Sequence, residues 1–247
     1  MGSGRELLRD WRMAYFEYVR SHVLDDVRAA ITDTLALDAG AAGRLLDVGC
    51  WDGEMTTRYG GALGLPPERV HGVDSSREAI ETARQKFAAE LVDLEAEPLP
   101  YEDGAFTHLV CNQVLEHLKQ VHHVMDEIWR VLAPGGLLLL SVPNLSSLHN
   151  RLLLAAGRQP TSIRVMGPHV RGFALDELHA FLRFSGRFSV ERSIGVGLYP
   201  LPEGIARPLA RMFPSLSHTP LQLARKTDPH GPSWGEKIRT WSQTEFA

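Results

Sequence analysis

Two cysteines in 247 residues are too few for a disulfide framework. Their isolation, at Cys50 and Cys111, excludes a thiolate zinc site at any ordinary spacing. No apolar run approaches the ~18 residues that cross a bilayer, and no charged-then-apolar leader opens the chain. The expectation is a protein of the reducing cytoplasm without integral membrane association. No block of consecutive basic residues occurs and the net charge is −4, so the footprint for tracking a phosphate backbone is missing. Nucleic acid is not an expected partner. Internal repeats are also absent. What is present is the composition of an ordinary globular protein, with 44% hydrophobic and 23% charged residues, at a length suited to one α/β domain with additions.

Apolar runs alternate with helical segments from Arg44 to Val142, the pattern of βαβ units around a parallel sheet. The spacing predicts helices near 77–89 and 121–132, the second stopped by Pro134, Gly135 and Gly136. Ahead of this region Leu8, Trp11, Tyr15, Tyr18, His22 and Val27 recur at helical spacing. Residues 1–40 are thus expected to form a helical cap, packed on the domain or closing Tyr15 and Tyr18 over a ligand. The main domain spans 41–226, with the last strand over 218–226. Two insertions, 144–172 and 198–217, are long enough to be binding lids rather than idle loops. The polar, proline-rich stretch 227–247, with Trp234 and Trp241 as lone aromatics, is expected to pack poorly.

The most informative stretch is LLDVGCWDGEMT, residues 45–56: an apolar run, an acid, a glycine turn and a helix start. A buried strand that stops at such a turn leaves backbone amides and a helix N-terminus facing a crevice. Gly49 and Gly53 permit close approach of a ligand. Asp47 stands where a dinucleotide site brings a pyrophosphate, and its carboxylate would repel two phosphate charges. Trp51 also occupies the middle glycine position of the GxGxxG pattern, so a nicotinamide cofactor is disfavoured and a cationic ligand is favoured. The next apolar strand, from Val70 to Val73, ends in Asp74, about where an acid takes both ribose hydroxyls.

A ribose plus a cation points to a sulfonium nucleoside, and here the chain resembles the class I S-adenosylmethionine-dependent methyltransferases. The likeness continues in order through LVDLEAEPLP, PYEDGAFTHLVCNQVLEHL and EIWRVLAPGGLLLLSVPN, and more loosely through HVRGFALDELHAFLRFSGRFSV. It implies a Rossmann-like, doubly wound seven-stranded sheet, mostly parallel, with an antiparallel last strand. It implies S-adenosylmethionine as cofactor, held by Asp47, Gly49, Cys50, Trp51 and Gly53 at the bend, and by Asp74 and Ser75 at the ribose. Asp93 and Leu94 would meet the adenine, and Cys111 and Asn112 the methionine end. Two departures stand out: Trp51 replaces a usual glycine, and Thr107 replaces an aspartate that often follows the phenylalanine.

Methyl transfer from a sulfonium is an in-line displacement, so the chain's main contribution is to hold the acceptor about 3–3.5 Å from the methyl carbon with water excluded. A hydroxyl acceptor must also lose a proton, a task suited to histidine near neutral pH. His169, in the first lid insertion, is the preferred base, with Arg171 as a substrate-binding companion. His117, in VLEHL, and His149 are the other candidates. Asn144 and Met166 join Tyr15 and Tyr18 as candidate acceptor contacts. No compact acid cluster presents itself for a divalent ion, so metal-independent transfer is expected. The resulting expectation is an enzyme acting on a small, partly hydrophobic molecule, at oxygen in preference to nitrogen or carbon. A non-catalytic module of the same fold is the competing class.

Overall fold

The computed structural model describes residues 15, 17–40, 42–227 and 232–240. Leu8, Trp11 and Trp241 lie outside them. The seven strands are β1 (Leu45–Val48), β2 (Val70–Asp74), β3 (Ala88–Leu91), β4 (Phe106–Asn112), β5 (Leu132–Ser141), β6 (Phe188–Val196) and β7 (Thr219–Lys226). They form one sheet in the order β3-β2-β1-β4-β5-β7-β6, parallel except that β7 runs antiparallel to both its neighbours. Chain order reverses between β1 and β4. In a doubly wound sheet that switch point opens a crevice at the carboxyl ends of the two strands, which here are Val48 and Asn112.

Helices cover both faces. A π-helical turn at Val19–Val23 leads into α1 (Leu24–Ala36), followed by α2 (Glu54–Leu63) and α3 (Arg77–Ala83). On α1, Val27, Ile31 and Leu35 repeat at the four-residue helical spacing and are fully buried, sharing one core with Tyr59 and Leu63 of α2 and Leu139 and Leu221 of the sheet. The helix is therefore packed onto the sheet as part of the domain. On the other face α4 (Val121–Val131) and α6 (Leu175–Arg183) bury Met125, Ile128, Leu178 and Leu182 against Leu109, Leu138 and Leu140. The insertions carry α5 (Leu148–Ala155) and α7 (Glu203–Met212). Among the described residues no helix is long and apolar enough to cross a membrane.

Three local expectations are corrected. α3 stops at Ala83 because Ala88–Leu91 is needed in extended form to pair with β2. α4 ends at Val131, and the Pro-Gly-Gly signal lies inside β5 rather than before it: Leu132 pairs with Phe106 and Leu137 with His108, so the intervening residues bulge, with Gly135 at φ +72°. The tail is also better packed than its composition suggests. It forms α8 (Trp234–Thr240), and Trp234 is 0% exposed in the core beside Phe188. Its indole Nε1 donates to the Phe181 carbonyl at 3.0 Å. The Asp126 carboxylate accepts the backbone N–H of Trp234 and of Gly235, both at 3.0 Å, so an acid from α4 satisfies two orphan donors at the start of α8. Arg187 lies over the rings of both Trp129 and Trp234, at 4.3 and 5.4 Å.

Candidate functional site

The bend after β1 is built from backbone conformations that most side chains avoid. Gly49 and Gly53 have φ of +82° and +77°, and Trp51 between them has φ +51°. Gly49 and Cys50 both donate their N–H to the Val73 carbonyl, at 2.8 and 3.1 Å, which ties the bend to the end of β2. A Cβ on Gly49 would lie 2.4 Å from Val114 Cγ2. Gly49→Ala therefore combines a left-handed residue with a clash, and is expected to destabilise the fold by about 1–3 kcal/mol; urea unfolding of the variant checks it. Trp51 is retained in its unusual conformation because its N–H donates to Asp74 Oδ2 at 2.9 Å, while Asp74 Oδ1 accepts from Ser76 N at 2.9 Å. Its indole is 63% exposed, so it walls the crevice without filling the turn.

Asp47 is the one acid inside β1, buried to 4% exposure. Thr56 Oγ1 donates to its Oδ2 at 2.6 Å, a bond that favours the ionised form, but burial dominates and pushes the carboxyl up to about 7. The crevice in front of it has a volume of about 1060 Å³. Asp25, Asp33, Asp47, Asp52 and Glu54 line it, against Arg28 and Arg58. Both arginines are already engaged, Arg28 with Asp25 at 3.2 Å and Arg58 with Glu54 at 2.7 Å. The cleft thus carries surplus negative charge around a buried carboxyl held by a neutral donor, a surrounding that favours a cationic ligand.

A methyltransferase-domain family model matches residues 46–140, from β1 through β5. The 27-O-demethylrifamycin SV methyltransferase of Amycolatopsis mediterranei is 31% identical over 180 residues, covering 67% of this chain and 62% of that protein. Residues 46–140 carry a methyltransferase domain, and the chain is similar to class I S-adenosylmethionine-dependent methyltransferases. The ubiquinone/menaquinone C-methyltransferase UbiE of Desulfotalea psychrophila is 31% identical over 98 residues, 38% of this chain and 39% of that one. A crystal structure of an S-adenosylmethionine-dependent methyltransferase from Mesorhizobium loti shares the fold, with a TM-score of 0.55 at 19% identity over 80% of this chain and 96% of that one. The chain spans between 34% and 62% of the length of the first three curated relatives it matches.

S-adenosylmethionine is the methyl donor of this family, and the acidic cleft with its bare-backbone bend suits a sulfonium nucleoside. Of the residues expected to hold it, Asp47, Gly49, Cys50, Trp51 and Asn112 line the cleft. Asp74 is joined to the bend through Trp51 N–H, and Ser75 beside it is exposed. Gly53 faces inward, its Cβ position 2.6 Å from the Phe87 ring. Asp93 is exposed and forms a local turn, its Oδ1 accepting from Glu95 N at 2.9 Å. Leu94 and Cys111 are corrected: both are buried in the core cluster on the α4 face, because the inward-facing positions of β4 and the turn after β3 point into that layer. Burial raises the Cys111 thiol well above its usual range, so it is inert wall. Three residues were missed. Gln113 lines the cleft at φ +59° and donates to Ser141 Oγ at 3.1 Å; Ser141 in turn donates to Asn112 Oδ1. Thr56 holds Asp47, and lies nine residues on, where only the fold of the bend brings it back. The other departure, Thr107, ties its hydroxyl to Arg44 N and to Arg44 O, both at 3.2 Å.

The candidate acceptor residues divide sharply. His169 and His117 are brought together, ring centroids 4.8 Å apart and nearly perpendicular. Burial and the neighbouring His169 hold His117 below its ordinary value, in the neutral form. His149 is corrected: it is 3% exposed, bonded through both ring nitrogens to Ser147 and Thr161, and burial lowers it to about 4. Tyr15 belongs to the same buried network, its hydroxyl 2.7 Å from His218 Nε2 and accepting from Thr161 Oγ1 at 2.8 Å. Burial raises that phenol to about 12. Tyr18 accepts from Leu198 N, and Asn144 donates to the carbonyls of Ser215 and Ser217. These polar groups satisfy one another between the N-terminal segment and the two insertions, so Tyr15, Asn144 and His149 brace the insertions through their hydrogen bonds. Met166 is 97% exposed, and Arg171 donates to the Lys119 carbonyl at 2.8 Å.

Proposed function

We propose that the chain transfers a methyl group from S-adenosylmethionine to a hydroxyl oxygen of a small, partly hydrophobic acceptor by in-line displacement. The observation that carries the reading is the Asp47 carboxyl, buried at a glycine bend and facing an acidic cleft in a fold whose relatives are methyltransferases. Asp47 would favour the cationic methionine end, Asp74 the ribose, and the Gln113–Ser141–Asn112 chain would fix the wall opposite the bend. Positioning and exclusion of water then carry most of the rate. The acceptor oxygen forms its bond to the methyl carbon as the carbon–sulfur bond breaks, and S-adenosylhomocysteine leaves. The acceptor proton would pass to His169 Nε2, which keeps its lone pair because Nδ1–H is committed to the Ser162 carbonyl at 2.8 Å. Oxygen is preferred because one relative, matched over 67% of this chain, is by its name a 27-O-demethylrifamycin SV methyltransferase.

Isothermal titration with S-adenosylhomocysteine tests the cofactor half, and a radiolabelled methyl assay over hydrophobic phenols, enols and amines tests the acceptor half. Asp74→Ala is expected to weaken S-adenosylhomocysteine binding by about 10–100-fold, since it removes a charged acceptor and loosens Trp51 as well. Unchanged affinity in a variant of normal melting temperature removes the ribose assignment. Label appearing only in amines sinks the oxygen assignment and leaves the cofactor site standing.

A further inference from the structure

A second cluster lies one short turn beyond Gln113. The 3₁₀ turn Leu115–His117 follows β4 and points Glu116 inward and His117 outward. The chain then returns over it some fifty residues later: the N–H groups of Val170 and Arg171 both donate to the Glu116 carbonyl, at 2.8 and 3.2 Å. That pairing sets His169 against His117. Donor atoms of Glu116, His117 and His169 all fall within 4.8 Å of one another.

The Glu116 carboxyl is the unexplained member. It is 1% exposed, and its Oε2 has no hydrogen-bond partner. A buried carboxyl in that state is costly unless a cation or donor meets it. The imidazoles are arranged as ligands usually are. A nitrogen that binds a cation leaves the other ring N–H to donate to a carbonyl, which fixes the tautomer and the ring direction. His169 Nδ1 does so to Ser162 O, and the Pro168 carbonyl serves as acceptor beside His117.

We propose that Glu116, His117 and His169 form a binding site for a single divalent cation of the zinc type, on the turn that follows β4. One carboxylate oxygen and two imidazole nitrogens suit a borderline cation better than calcium or magnesium, which favour oxygen ligands throughout. Three protein ligands leave an open position, the arrangement of a catalytic rather than a structural site. The inference rests on the hydroxyl-acceptor reading above and refines it: an acceptor hydroxyl at the open position loses its proton more readily, that proton leaving to water, before its oxygen takes the methyl group. The three side chains thus act together where His169 alone would otherwise serve as base.

The test uses the full chain, stripped with a chelator and dialysed, with zinc chloride alone as the probe and neither donor nor acceptor present. Wild type is expected to take up one equivalent by titration calorimetry and elemental analysis, with a rise of several degrees in melting temperature. Glu116→Gln and His169→Ala are expected to lose about 10–100-fold in zinc affinity. His123→Ala, on α4, should match wild type. No uptake by wild type, or equal affinity in the two ligand variants, overturns the site. Melting curves without zinc show whether each variant is folded, and Glu116→Gln keeps the shape while removing the charge. The reaction is read separately. Zinc bound through these residues with no methyl transfer to any acceptor keeps the site and rejects the hydroxyl reading. Methyl transfer to hydroxyls at undiminished rate in the metal-free chain rejects the cation's role.

Discussion

Replacing Asp47 with asparagine is expected to abolish useful cofactor binding while making the ligand-free protein more stable at alkaline pH. The two effects have one cause. In the free protein the carboxyl is buried, its hydrogen-bond partner among the described residues is the neutral Thr56 hydroxyl, and burial pushes it up to about 7. A cationic ligand must lower that value, so binding releases a proton near neutrality. Affinity for S-adenosylhomocysteine should therefore fall as the pH drops below about 7, by up to roughly tenfold per unit, and level off above it. Loss of the charge removes this dependence and about 2–3 kcal/mol of charge-assisted bonding, a weakening of about 30–150-fold. The stability effect has the opposite sign. Between the ordinary carboxylate range and about 7 the folded state holds a proton that the unfolded state has lost, so ligand-free stability declines as the pH rises through that window. Asparagine has no such penalty and should gain on the order of 2–4 kcal/mol at pH 8 relative to wild type, and little at pH 4. Calorimetric titrations across pH 5.5–8.5, with melts of the ligand-free proteins at both ends, check both halves. A pH-independent affinity in wild type would show that Asp47 does not sense the ligand's charge.

Trp234→Ala is expected to be the most damaging single substitution away from the cleft, costing about 3–5 kcal/mol. The indole is fully buried among Phe181, Phe188 and the Arg187 guanidinium. Its removal leaves a large cavity and strands the Phe181 carbonyl that now accepts from Nε1. Arg187 would also lose one of its two aromatic faces, keeping only Trp129. For a domain of this size the melting temperature should drop by about 10 °C. Trp234→Phe, which fills most of the volume without the N–H, should lose about a third as much. Because the site lies at the other end of the sheet from this packing, S-adenosylhomocysteine affinity at low temperature should stay within about twofold of wild type, the additivity expected of distant sites. A tail that merely trailed in solvent would leave the melting temperature of Trp234→Ala unchanged.

Much of the molecule is legible in the chain. Leu45–Val48 is apolar but for one acid, and the glycines at 49 and 53 announce both the end of the strand and the approach of a ligand, because only glycine takes those conformations freely. The alternation of apolar runs and amphipathic helices is enough to give a doubly wound sheet, and Val27, Ile31 and Leu35 mark the buried stripe of α1. Even the electrostatic choice against a diphosphate follows from where Asp47 stands.

Partnerships between residues far apart in the chain were not legible. Asn144, Tyr15 and His149 carry the same letters whether they face a substrate or one another; the hydrogen bonds to Ser217, His218 and Thr161 decide it, and those partners lie up to about two hundred positions away. Trp234 sits in a polar stretch whose mean composition hides one residue with a prepared cavity. Glu116 and His117 lie side by side, but His169 joins them only because two backbone N–H groups of its loop bond to the Glu116 carbonyl. Local periodicity and conformational preference thus determined most strands and helices, the bend and its charge, but not where α3 stops, the bulge inside β5 or the packing of the tail helix. Tertiary structure alone decided which polar side chains satisfy each other inside the fold and which remain available for chemistry, because burial and pairing are properties of a neighbourhood and the chain does not encode a neighbourhood in consecutive residues.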